Sequence, residues 1–226
     1  MADLTSYALD GGIATITMDD GKVNALSVDL LGSISHAFDR AAADEAVVVL
    51  TGRASTFSAG FDLRAQDWQA MVGAGGRLAE KLLSHPHPVV AACNGNAIAM
   101  GAFLLLSADL RIGVAGEHKL GLNEVAIGMT LPWFGIELAR HRLARPWFDR
   151  CTITGALLDP EQAREAGFLD TLVAPEELAA AAQSAAHDLL RVDRKAHAAT
   201  KLRVRERVLA GVRAGAERIE RGDQEW

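Results

Sequence analysis

The run "AVVVLTG" (46–52) constrains this chain more than any other segment. Side chains along a strand alternate between its two faces, and here both faces are apolar without interruption. Such a strand is satisfied only when helices cover the sheet on both sides, which is the habit of parallel sheets. A second run of the same kind, "PVVAACNG" (88–95), follows a helical pattern over about 64–84. Upstream, "YALDGGIATITMDDG" alternates apolar and polar residues around Gly11-Gly12 and reads as a β-hairpin. Ser27 then caps a helix to about Ala43, with Leu30, Leu31, Ile34 and Phe38 on its apolar face.

Beyond the second buried strand the pattern continues as a loop, a short helix (101–107), a strand "DLRIGVA" (109–115) and the segment "KLGLNE". Asp159-Pro160 opens another short helix, an N-cap followed by proline at the first helical position. "FLDTLVAP" (168–175) reads as a short strand. After Pro175 the chain is almost purely helical, ending in the arginine-rich amphipathic stretch "DRKAHAATKLRVRERVLAGVRAGAERIERG". That stretch reads as a packing helix with a solvated charged face. Alternation of strands and helices followed by helices alone gives an α/β core over 1–175 and an α-helical region over 176–226.

Composition narrows the function. A net charge of −6 over 226 residues leaves no broad basic footprint for nucleic acid. The two cysteines, Cys93 and Cys151, form no CxxC pair, so neither a zinc site nor a disulfide framework is expected. The opening residues "MADLTSYALDGG" carry acidic groups and lack the apolar core of a signal peptide. The longest nearly apolar run, 97–106, is about half of a membrane span. These features point to a cytoplasmic protein with neither a nucleic-acid nor a membrane partner.

Several catalytic signatures are missing: no GxSxG elbow, no GK[ST] phosphate loop, no HExxH and no GxGxxG after a strand. His85 and His87 flank Pro86 as in a turn, and Ser58 and Ser107 have no histidine nearby in sequence. Two segments remain. In "STFSAGFDL" (55–63), Ala59-Gly60 has too little bulk to keep a ligand from the backbone. In "NGNAIAMGAFLLLSADL" (94–110) a loop turns into a helix near Met100-Gly101, and a helix start offers unpaired N–H groups to a developing anion. The stretch "GLNEVAIG" (121–128) adds a carboxylate, Glu124, among apolar neighbours, where burial of a charge is costly without a partner.

In this order the segments resemble the crotonase (enoyl-CoA hydratase/isomerase) superfamily. The resemblance runs through "GIATITMDDGKVNALS", "LTGRASTFSAGFDLRA", "HPVVAACNGNAIAMGAFLLLSADLRIG", "KLGLNEVAIGMTLP" and "ITGALLDPEQAREAGFLDTLVAPEEL", about residues 12–178. It implies an α/β fold, a ββα spiral core whose C-terminal helices assemble subunits and wall the pocket, as trimers or hexamers. It implies an enzyme acting on acyl-CoA or enoyl-CoA thioesters with no cofactor, coenzyme A being part of the substrate. An enolate of the thioester would be held in an oxyanion hole of two backbone N–H groups. In register, "FSAGFD" assigns the first to Phe61 and "AIAMGA" the second to Met100, with Ala99 and Met100 where the family carries glycines. The resemblance further assigns backbone around Ala25, Ala59, Asp62 and Leu63 to the coenzyme. Lys22 and Arg64 are either phosphate contacts or solvated charges.

Hydratases of the family use two glutamates. The first falls in register on Phe103, which can neither take nor give a proton, and the second on Glu124. A single glutamate resembles the Δ3,Δ2-enoyl-CoA isomerase branch, where one base moves a proton from C2 to C4. Phe103 and the bulky pair Trp133-Phe134 are expected to line an apolar acyl pocket or to pack the core. Asp62 is expected to hold its loop and Asp109 to open a strand. Hydratase or another crotonase reaction, and a non-catalytic acyl-CoA-binding protein, are the alternatives.

Overall fold

The structure, a computed structural model, describes residues 4–223. The first three residues of the amino-terminal segment and the last three of the C-terminal helical region lie outside the described residues.

The chain opens with the expected hairpin of β1 (Thr5–Asp10) and β2 (Ile13–Met18). Gly11 and Gly12 both take positive φ, 54° and 83°, as a two-residue turn matching strand twist requires. A short strand β3 (Ala25–Leu26) leads into α1 (Val28–Ala43), whose first turn is capped by the Ser27 side chain accepting from Leu30 N–H. Then come β4 (Val47–Thr51), β5 (Thr56–Ser58), β6 (Gly60–Phe61) and α2 (Trp68–Ser84). The last begins four residues later than the sequence pattern suggests, because Asp67 caps it by accepting from Ala70 N–H. Next are β7 (Val89–Cys93), β8 (Asn96–Ile98), α3 (Met100–Ser107), β9 (Leu110–Val114) and β10 (Leu120–Gly121).

Two helices that the sequence reading leaves unassigned follow, α4 (Trp133–Arg142) and α5 (Arg145–Ile153). Neither has a side-chain cap, and α5 carries proline in its first turn. After β11 (Leu157–Leu158), α6 (Pro160–Ala166) starts in a full capping box in which Asp159 and Gln162 bond each other's backbone. The chain ends with β12 (Thr171–Val173), α7 (Leu178–Leu189) and α8 (Arg194–Glu220).

A six-stranded sheet, ordered β1-β2-β4-β7-β9-β12, is parallel except at the hairpin. The buried runs behave as their pattern demands. Val48 and Leu50 of β4 enter the main core with Ala91 and Cys93 of β7, whereas Val47, Val49, Val90 and Ala92 face α7. Helix α8 packs lengthwise on α2 and α4, and its Val208, Leu209, Val212 and Ile219 join the main core. Its charged face is not wholly solvated as expected: Lys201 and Arg205 turn inward and are buried. No helix among the described residues is long and apolar enough to cross a membrane.

Candidate active site

A second sheet builds the site. Its order is β11-β10-β8-β5, and β5, β8 and β10 are parallel neighbours. The chain therefore leaves the carboxyl ends of these strands side by side, reaching Phe61 in β6 after β5, Met100 at the start of α3 after β8, and Glu124 after β10. Ligands of α/β proteins gather at such carboxyl ends of parallel strands.

The loops are locked together. Ala99 N–H donates to Gly121 O at 2.9 Å, tying the second loop to the third. Gly60 lies so close to the second loop that a Cβ there would come within 2.9 Å of Ala99 Cβ. The Phe61 ring and the Met100 sulfur converge on Gly75 of α2, where a Cβ would clash with both.

Each backbone donor is left open for a different reason. Among the described residues strand β6 pairs only with β3, and Asp62 N–H donates to Leu26 O across that ladder at 3.4 Å. Successive N–H groups point to opposite edges, so Phe61 N–H faces the free edge. Met100 is the first residue of α3, whose first intrahelical bond is Phe103 N–H to Ala99 O. No side chain caps this helix, so the Met100 N–H belongs to its unpaired first turn. Ala99, the residue before it, holds φ 49° and ψ −117°, a conformation that glycine tolerates and alanine resists.

Glu124 stands at the start of a single 3-10 turn, Val125–Ile127, and only 5% of it is exposed. Neither carboxylate oxygen has a hydrogen-bond partner. Desolvation pushes its pKa up to about 7. An unpartnered carboxyl of this kind can both accept and return a proton near neutral pH.

The remaining sequence-predicted residues divide into two groups. Ala25 pairs with Gly60 across β3 and β6, and Ala59 N–H donates to Val23 O, so Ala25 and Ala59 border the Phe61 loop. Asp62 holds its loop as expected, accepting from Arg64 Nε at 2.9 Å and from Arg64 N–H, and these bonds keep its carboxyl below the ordinary range. Arg64, Leu63 and Lys22 are exposed. By contrast, Phe103 and Phe134 are fully buried and meet edge to face at 5.4 Å inside the main core. Trp133 is 45% exposed, with the Arg218 guanidinium 4.7 Å above its ring.

Among the described residues neither Ser58 nor Ser107 is paired with a histidine as a nucleophile would be. Ser58 Oγ donates to Asn24 O and Ser107 Oγ to Phe103 O, while His85 and His87 share a turn after α2. Among the described residues no group of three histidines, cysteines or carboxylates could hold a metal. Sequence reasoning did not single out Asn24, a fully buried asparagine with φ 53° that bonds the loops on either side. Its one signal was a polar residue between Val23 and the apolar Ala25-Leu26.

Comparisons with known proteins agree with this architecture. The family model described as enoyl-CoA hydratase/isomerase matches residues 9–219. A putative enoyl-CoA hydratase of Thermus thermophilus is 31% identical over 211 residues, 88% of this chain and 81% of that protein. An enoyl-CoA hydratase/isomerase family protein from Pseudomonas syringae superposes with a TM-score of 0.95 at 47% identity, covering 97% of this chain and 98% of that one. A Mycobacterium tuberculosis protein, described as an enoyl-CoA isomerase in one structure and as a probable enoyl-CoA hydratase in another, gives a TM-score of 0.93 at 43% identity in the first, with 97% and 98% covered. On its sequence and its fold alike, the chain belongs to the enoyl-CoA hydratase/isomerase family of the crotonase superfamily.

Proposed function

We propose that the protein is a Δ3,Δ2-enoyl-CoA isomerase in which Glu124 alone carries the proton. The observation that carries this reading is a buried carboxylate with neither oxygen bonded, while the other glutamate position of the two-carboxylate hydratases holds a core phenylalanine. The Glu124 carboxylate removes a proton from C2 of a 3-enoyl-CoA. The electron pair delocalises through the thioester carbonyl and the C3=C4 bond, and the resulting dienolate oxygen accepts from Phe61 and Met100 N–H. The protonated Glu124 then delivers the same proton to C4, leaving the double bond between C2 and C3. No water is added, no cofactor is required, and the carboxylate is regenerated.

A pKa near the working pH suits a group that must be base and acid in one turnover. In this reading Ala25, Ala59, Asp62 and Leu63 cradle the coenzyme and Lys22 and Arg64 meet its phosphates, while Phe103 and Phe134 pack the core rather than line an acyl pocket. Purified protein given a 3-enoyl-CoA should produce the conjugated 2-enoyl-CoA, followed by its ultraviolet absorbance. Hydration of crotonyl-CoA at a comparable rate would replace this reading with a hydratase, the activity named for the Thermus relative. Binding of acyl-CoA without turnover of either substrate would leave a non-catalytic binder.

A further inference from the structure

We infer that Asn24 and Ser58 are positioning residues that fix the direction of the Phe61 N–H; the inference rests on the oxyanion-hole reading above. The fragile point is Gly60. With φ 95° and no Cβ, it allows the Gly60–Phe61 peptide to rotate and swing the donor out of the site. Something must hold the peptide on each side. On one side Asp62 N–H is tied to Leu26 O. On the other, Gly60 N–H donates to Ser58 Oγ at 3.1 Å. The Ser58 hydroxyl proton is already directed, because it donates to Asn24 O at 2.7 Å and leaves a lone pair for Gly60.

Asn24 is the anchor of this chain of bonds. Its side-chain Nδ2 donates to Met18 O and to Phe57 O, both at 3.0 Å, joining the end of β2 to the middle of β5. Its Oδ1 accepts from Asp20 N–H, and its own N–H returns a bond to Asp20 Oδ1. Both Asn24 and Ser58 are fully buried, and the bonds of Asn24 to Met18 O and Phe57 O and those of Ser58 Oγ are shielded from water. Neither side chain points a free polar group at the substrate, which separates positioning from catalysis.

The test is Ser58→Ala, read by two independent signals. In the isomerase assay kcat should fall about 10- to 100-fold with KM little changed, since a misdirected donor weakens only the transition state. In the second, acetoacetyl-CoA is bound and its enolate absorbance measured, which reports the oxyanion hole whether or not the protein isomerises anything. This band should shrink in Ser58→Ala, and Ser58→Cys, with a weaker hydrogen-bonding group of similar shape, should recover part of it. Should Ser58→Ala fail to fold, Ser58→Cys carries the test through an intermediate loss of both signals. An unchanged kcat and enolate band would overturn the inference. So would a parallel rise in KM with a lowered melting temperature and no recovery in the cysteine variant. A wild-type enolate band without isomerisation would refute the isomerase reading alone.

Discussion

The two ends of α3 are built on opposite terms. At its carboxyl end Asp109 is a partly buried acid with every need met: Lys201 lies at 2.7 Å, Arg205 at 2.8 Å, and Val89 N–H donates to it at 2.7 Å. Arg142 donates to Leu106 O and Ala108 O, and Arg205 to Ala108 O, so cations also cap the helix's negative pole. Burial pulls Lys201 down to about 8, with Asp109 opposing. At the amino end there is no cap and Ala99 is strained, and on the loop after β10 the Glu124 carboxylate has no hydrogen-bond partner. A fold that satisfies a partly buried carboxylate so fully has left the more deeply buried one without a hydrogen bond. That contrast supports the proposed division of roles, Asp109 as scaffold and Glu124 as the proton carrier.

Substitution of each acid should break the comparison along that line. Glu124→Gln keeps the shape and removes the base, so isomerisation should fall by about 10³-fold or more, while acyl-CoA binding by calorimetry persists. Asp109→Asn should instead strand Lys201 and Arg205 without a counter-charge, lowering stability by about 3–5 kcal/mol in urea unfolding. The folded fraction of that variant should keep a near wild-type kcat. If Asp109→Asn lost kcat without losing stability, the assignment of roles would be reversed.

Titration sharpens the same contrast. Glu124 ionises near 4.5 when unfolded and near 7 when folded. Between those values the native state retains a proton the unfolded chain has released. Stability should therefore fall as pH rises through the window, by roughly 3 kcal/mol in total, and level off above about 7. Glu124→Gln should remove this slope and match or exceed wild-type stability at pH 8. In the same window kcat/KM should climb with pH and reach a plateau above about 7, because the free enzyme must offer the carboxylate. A pH-independent kcat/KM would mean that Glu124 is not the base.

These two acids also show what the sequence could disclose. Strands β4 and β7, the hairpin and the Ser27-capped helix were legible because their signals are local: apolar alternation, a glycine pair, a cap. Glu124 was legible because its loneliness is local as well, a charge among aliphatic neighbours in one short stretch. Asp109 was read only as a strand opener, since its cationic partners Lys201 and Arg205 lie 92 and more residues away on α8. For the same reason Lys201 and Arg205 looked like part of a solvated face. Helices α4 and α5 lacked caps, and the apolar Phe134, Leu138 and Ala139 of α4 pack between α3 and α8. Nor does the motif alone reveal that Ala99 adopts a glycine-like backbone.

That backbone supplies the finest test of the two ends. Ala99 at φ 49° carries strain of about 1–3 kcal/mol, partly offset in a glycine variant by greater entropy loss on folding. Ala99→Gly should thus raise stability by about 1 kcal/mol while kcat drops about threefold, because the peptide presenting Met100 N–H gains freedom. The matching change at the other end is Ala108→Gly. Ala108 caps α3 at φ −72° and ψ 165°, ordinary extended backbone, so glycine relieves nothing there. It should lower stability by about 0.5–1 kcal/mol and leave kcat untouched. Opposite signs in stability at the two ends, with kcat responding at only one, are expected if α3 stores strain where it meets substrate and none where it meets scaffold. Equal signs would mean that the Ala99 conformation is relaxed by its surroundings and contributes nothing to holding the donor.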